Sequence, residues 1–197
     1  METYGRILLY AMPAFLLLIV LEKAYGYFKG NDTFRSFDTL SSLSSGFTNV
    51  TKDVLGLSLV VISYQYLYKN FSFFAIDSGV LTYVIAFLAL DLSGYWVHRI
   101  AHKVNFFWNS HIVHHSSEEF DLACAVRQPI SSFVKIFTLF MLPAALLGVS
   151  PQVIATVTPI QFFAQFWYHT RHIHRMGFLE YLLVTPAHHR VHHAINE

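Results

Sequence analysis

VLTYVIAFLALDLSGYWVHRIAH, residues 80 to 102, is an apolar run that continues through one carboxylate, Asp91, and ends in two histidines four positions apart. Val80 to Leu90 alone falls short of the roughly 20 residues a bilayer crossing needs, and the turns that follow supply the missing length. On a helix His98 and His102 share one face. The stretch therefore predicts a membrane helix that delivers paired imidazoles at its end.

The rest of the chain has the same character. Its 197 residues are 54% hydrophobic, 17% aromatic and only 13% charged, whereas soluble domains carry about a quarter charged residues. Four further apolar stretches run from Ile7 to Leu21, Val54 to Tyr68, Phe133 to Val149 and Val153 to Tyr168. Together they predict an all-α, multi-pass helical membrane protein with a histidine-rich metal site on its cytoplasmic side. The first stretch lacks an A-x-A cleavage site, which predicts an uncleaved anchor rather than a signal peptide. Residues 29 to 52, which include GNDTFRSFDTLSSLSSGFTNVTK, read as a polar connector with a short surface helix. Ser150-Pro151 predicts the turn of a hairpin over 133 to 168. The lone Cys124 excludes an internal disulfide and a cysteine-based metal site. A formal charge of +1 argues against a nucleic-acid partner.

If all five stretches cross, Arg6 and Lys69 lie on one face and the other eleven basic residues lie on the opposite one. That asymmetry predicts a cytoplasmic location for the second face. All twelve histidines fall there, between 98 and 193.

The histidines repeat a spacing. HIVHH at 111 to 115 and HRVHH at 189 to 193 share the pattern H-x-x-H-H, and HRIAH precedes them at 98 to 102. A single membrane-proximal histidine is ordinarily a hydrogen-bonded core residue. So many imidazoles near an apolar core would each need a partner, and metal coordination satisfies them together. One zinc takes three or four protein ligands, while these clusters with His169 offer at least nine, so two ions fit better. No Glu-x-x-His pair of the ferritin-like kind occurs. A zinc-dependent hydrolase would leave most of the imidazoles idle, and a transporter would place ligands at mid-membrane.

The three boxes, with DLSGYWVHR, WNSHIVHHSSEEFDLACAVRQ, FWYHT and LEYLLVTPAHHRVHH around them, resemble the fatty acid hydroxylase/sterol desaturase superfamily. Within it the likeness is to alkylglycerol monooxygenase-like bacterial members. It covers roughly 80 to 195, and more weakly FLLLIVLE and the DTLSSLSSG connector. The resemblance implies a membrane-bound non-haem di-iron oxidoreductase that uses dioxygen to hydroxylate or desaturate a lipid. A non-catalytic or zinc-loaded metalloprotein of the same fold is the alternative. The implied cofactors are two iron ions, with zinc as a substitute, and an external electron donor, either a tetrahydropterin or a small redox protein. The implied partners are a lipid substrate, that donor and membrane lipids, in a bacterial inner membrane.

The implied metal ligands are His98, His102, His111, His114, His115, His169, His189, His192 and His193. His188 is expected to contact a ligand or the substrate, and His172 and His174 are less tied to the motif. Ligating imidazoles commonly donate their second N–H to a carboxylate or carbonyl. Asp91, two helical turns before His98, is a candidate acceptor, and Glu118, Glu119 and Asp121 are others. Arg127 is expected to pair with one of these or to bind a polar headgroup, which makes Asp91, Glu118 and Arg127 the candidate catalytic residues. Arg171 stands where the branch has an acidic residue after HT. Residues 1–78 are expected to form amino-terminal membrane helices and the connector. Residues 79–197 are expected to form the catalytic domain, truncated at its carboxy end because the family continues past the last box.

Overall fold

The computed structural model describes residues 2–31, 35–77 and 79–194, with side chains from Leu9 onward. The chain folds into helices, in order α1 (Glu2–Lys29), α2 (Ser36–Val54), α3 (Tyr64–Phe71), α4 (Val80–Lys103), α5 (Asn105–His115), α6 (Leu122–Ala125), α7 (Leu142–Leu146), α8 (Pro151–Phe166) and α9 (Pro186–His193). Two-residue strands β1 (Leu59–Val60) and β2 (Val134–Lys135) pair in parallel, and 3-10 turns cover Phe137–Met141 and Gly177–Tyr181.

Among the described residues, two helical segments are long and apolar enough to cross a bilayer: Leu9–Lys29 and Val80–Lys103. Little of either segment is buried inside the protein, and Leu17, Val20, Leu81 and Leu88 are exposed. That is consistent with membrane spans and unlike the core helices of a soluble domain. The fold class is all-α apart from the small β1–β2 pair.

The expectation of five crossings is corrected by the second and fourth apolar stretches, which are not single helices. Val54 to Tyr68 is interrupted where Gly56 takes φ 69°, where β1 forms, and where Ser63 caps α3 by accepting from the Tyr66 N–H. Phe133 to Val149 breaks into β2, a 3-10 turn and the five residues of α7. These two pieces clasp each other. Tyr64 Oη donates to the Val149 carbonyl at 2.7 Å, and the Phe73 N–H donates to Leu146 at 3.1 Å. Gly148, at φ 80°, passes so close that a Cβ there would meet the Phe74 carbonyl oxygen at 1.8 Å. Irregular backbone survives at membrane depth only where protein satisfies it, and the clasp provides such partners. The predicted turn does fall at Ser150-Pro151, where Ser150 accepts from the Val153 N–H and caps α8.

Two cores position the metal-site ends. Ala86 and Leu90 of α4 pack with Met141, Ala144, Val149, Val153 and Val157, which fixes α4 against α7 and α8. Ile19 of α1, Ala123 of α6 and Phe166 of α8 form the second core, with Phe15 stacked on Phe166 at 4.5 Å. Both cores lead to the same end of the molecule, where α1, α4 and α8 all terminate.

Candidate metal centre

Val104 adopts an extended conformation between α4 and α5, so the chain reverses there and lays the second histidine box against the first. The rings of His98 and His111, and of His102 and His111, stand 4.7 Å apart. His115 lies 4.8 Å from His102. Helix α9 then brings His192 across, with its Nε2 2.8 Å from Nε2 of His98. These five form one group.

His114 stands beside His111 and His115 on α5 and meets His169, His189 and His193 in a second group. Their Nε2 atoms approach in sequence: His114 to His169 at 3.3 Å, His169 to His189 at 2.9 Å, and His189 to His193 at 3.1 Å. In each group the candidate ligand atoms lie within 4.8 Å of one another. The groups touch, because the ring of His115 stacks on that of His193 at 4.2 Å.

The two H-x-x-H-H boxes are shared out crosswise. On α5, His111 and His115 serve the first group and His114 the second; on α9, His189 and His193 serve the second and His192 the first. Residues i and i+4 line one face of a helix and i+3 stands beside them, so each box can face both groups at once.

Hydrogen bonds fix the tautomers in the second group. Nδ1 of His169 donates to the Gln165 carbonyl at 2.9 Å, and Nδ1 of His114 donates to the Arg127 carbonyl at 3.3 Å. A carbonyl only accepts, so in these neutral rings Nε2 carries a lone pair. Two such lone pairs then face each other across 3.3 Å, an arrangement that needs a cation between them. Nitrogens each about 2.1 Å from one ion, at ligand angles of roughly 90 to 109°, lie about 3.0 to 3.4 Å apart. The observed separations of 2.8 to 3.3 Å lie within that range or up to about 0.2 Å below it, and an all-imidazole donor set suits iron or zinc. Nε2 of His102 is buried without a partner, as a ligand lacking its ion would be.

Burial keeps these rings neutral. It holds His115 and His169 at about 4, and His111 and His193 at about 2, with neighbouring imidazoles depressing all four further. Burial and neighbouring imidazoles likewise hold His114 and His189 well below the ordinary range. Phe120 closes the second group, its ring 5.3 Å from His193 and 5.9 Å from both His169 and His189.

Several partners differ from the sequence expectation. Arg127 pairs with Asp38 of the connector helix, not with Glu118, Glu119 or Asp121, and it also donates to Ser42 and Ser116. It is 6% exposed, so it ties α2 to the segment whose carbonyl orients His114. Asp121 instead caps α6 by accepting from the Cys124 N–H and pairs with Lys23. Glu119 is engaged by Arg35 and Arg171, which occupies the arginine in an ion pair. The Glu118 side chain is exposed, and its backbone N–H donates to Asp38. Asp91 accepts from Gln161 Nε2 at 2.9 Å and from no imidazole. His174 and His188 are exposed and belong to neither group.

Residues that sequence reasoning passed over include Asp38, Gln161 and Tyr168. Tyr168 lies 4.5 Å from His189 and 5.0 Å from His169, ring to ring. Its only signal was adjacency to His169. Glu22 did carry a signal, since it ends the apolar run FLLLIVLE as Asp91 interrupts the one at 80 to 102.

Comparisons with known proteins agree with this geometry. The family model described as Fatty acid hydroxylase matches residues 83–197, which contain all nine clustered histidines. Alkylglycerol monooxygenase of Homo sapiens is 38% identical over 190 residues, covering 94% of this chain and 42% of its own length. That of Danio rerio is 37% identical over 188 residues, with the same coverage. The Caenorhabditis elegans protein of that name is 26% identical over 166 residues, covering 84% of this chain and 32% of its own length. The chain thus spans less than half the length of these relatives. They are animal proteins and lend no support to a bacterial affiliation. No solved structure matches at a significant level. By the family match and the histidine boxes it encloses, the chain belongs to the fatty acid hydroxylase family.

Proposed function

We propose that the chain is the metal-bearing part of a membrane-bound non-haem di-iron monooxygenase that hydroxylates, or desaturates, a lipid tail. One observation carries the reading: nine imidazoles converge in two touching groups, with lone pairs facing each other. When bound, two iron ions supply the activation of dioxygen that side chains alone do not provide. The nine histidines are the ligands in this reading. Gln165 and Arg127 orient His169 and His114 through their carbonyls, and Phe120 excludes water from the buried group. Asp91, with Gln161, braces α4 against α8 beside the site, and Glu118 stays at its rim.

The lipid enters sideways between helices, and electrons come from an external reductant, a tetrahydropterin or a small redox protein. Residues 79–197 form the catalytic part in this account, with 1–78 as amino-terminal helices and connector. Lys23, Arg35, Arg127 and Arg171, which form ion pairs around the segment after the second histidine box, favour the cytoplasmic face for the metal centre in this reading. The name shared by the animal relatives makes an alkylglycerol the first substrate to try.

Purified protein expressed with added iron should hold close to two ions per chain by metal analysis. One tightly held zinc, insensitive to iron supply, overturns the di-iron reading in favour of a zinc-loaded protein of the same fold. Lipid mass spectrometry of oxygenated cells should show one added oxygen, or loss of two hydrogens, on a lipid with wild-type protein. His115→Ala should abolish the change. Identical lipids in both, with a reductant supplied and the metal site loaded, argue against lipid oxidation.

A further inference from the structure

A groove of about 470 Å³ lies between the carboxy-terminal half of α1, the end of α8 and the segment after His169. Leu18, Leu21, Tyr25, Phe163, Phe166 and Trp167 make its walls apolar and aromatic, and none of the nine clustered histidines lines it. Two polar atoms interrupt that lining. Oε1 of Glu22 and Nε2 of His172 are both shut off from solvent, and neither has a hydrogen-bond partner.

Glu22 is 7% exposed, and its other oxygen accepts from the Leu122 N–H at 2.7 Å. Leaving the remaining acceptor of a buried carboxylate unused is costly. Gly26, one turn further along the same face of α1, shows how His172 comes near. A Cβ there would stand 3.3 Å from His172 Cε1 and 3.4 Å from its Nε2. The imidazole therefore lies against the turn of α1 that follows Glu22, and both side chains line the one groove.

Charge decides what the groove takes. Glu22 Oε1 is an acceptor, His172 Nε2 is a second one in the Nδ1–H tautomer, and Thr170 adds a hydroxyl to the same lining. An ammonium has three donors and no acceptor, and aromatic walls attract a desolvated cation. An anionic head would meet the Glu22 carboxylate. Leu21, Tyr25 and Phe163 at the rim are each about half exposed, on the side that a bilayer would cover. We propose that this groove binds a single-chain lipid amine, its ammonium held between Glu22 and His172 and its tail leaving sideways along α1 and α8. The site is separate from the metal centre and goes beyond the proposed oxidation.

The test uses the full chain as purified, in zwitterionic nanodiscs, and reads binding without turnover, so a failure of the di-iron reading leaves it intact. Dodecylamine brominated on its tail should quench Trp167 fluorescence saturably, in a background with Trp96 and Trp108 replaced by phenylalanine. Unlabelled dodecylamine should displace the probe, with dodecanol and dodecanoate weaker by about tenfold or more, as expected when a charge-assisted hydrogen bond is lost. Glu22→Gln should raise the half-saturating concentration by about tenfold. His172→Ala should also raise it, and that variant decides the matter if Glu22→Gln does not fold. Dodecanol competing as well as dodecylamine, quenching that never saturates, or unchanged affinity in the folded variants would each overturn the proposal.

Discussion

The two histidine groups use the same side chain in different surroundings. In the group of His114, His169, His189 and His193, three residues are buried and the fourth is half-buried; in the group of His98, His102, His111, His115 and His192, four are half-buried and His192 is exposed. The buried group has two rings whose tautomers are set by main-chain carbonyls and a phenylalanine over three of its members. In the open group the Nε2 contacts are imidazole to imidazole, His98 with His192 and His111 with His115. Preorganisation and desolvation thus concentrate in the group with fewer ligands, and extra ligands offset their lack in the other. Equal ligand chemistry does not imply equal metal affinity.

The largest expected contrast comes from removing one ligand on each side. His169→Ala should empty the buried group and lower turnover beyond the roughly 10 to 100-fold typical of losing a supporting hydrogen bond. His192→Ala leaves four imidazoles in the open group and should keep both ions, at reduced affinity. Metal analysis and turnover on both variants check this. Equal metal loss, or greater loss in His192→Ala, breaks the distinction between the groups.

Chelation gives a smaller but cleaner contrast. On treating the iron-loaded wild type with excess chelator, metal should leave in two phases of equal size, with rates about tenfold or more apart, since ligand support of this kind is worth that much. A single phase would mean that the shared His115–His193 stack couples the two ions too tightly to be lost separately.

Smallest are the effects of residues that act through others. Asp38→Ala frees Arg127, whose carbonyl orients His114, and should lower metal retention in the buried group by about 10-fold while sparing the open one. Asp91→Ala should fall below about 10-fold, because Asp91 is bonded to Gln161 and not to an imidazole. Stopped-flow chelation of each variant separates them. A larger loss of metal from Asp91→Ala than from Asp38→Ala would reverse the assignment of the two carboxylates.

What the sequence revealed divides along similar lines. Histidine spacing at i, i+3 and i+4 is a local property, so the pairing of His98 with His102 on one helix face and of His111 with His115 on another was legible before any fold was known. The crosswise allocation was not, because HIVHH and HRVHH are the same pattern and only the placement of α9 decides which face meets which group. The Arg127–Asp38 pair joins residues 89 positions apart, and no local signal ties a connector aspartate to a distant arginine. Apolar composition predicted the long apolar helices at Val80–Lys103 and near the amino terminus, which are consistent with membrane spans. It overestimated the others, since hydropathy counts side chains and does not register Gly56, the Ser63 cap or the close approach at Gly148.

The crosswise sharing of α9 also sets an order of assembly. Before residues 186 to 193 dock, the open group already has four of its five imidazoles, from α4 and α5, while the buried group has only His114 and His169. That helix brings two imidazoles to the group that lacks most and one to the group that is nearly complete, so on the proposed two-ion reading the docking of α9 acts as a latch that completes the second site.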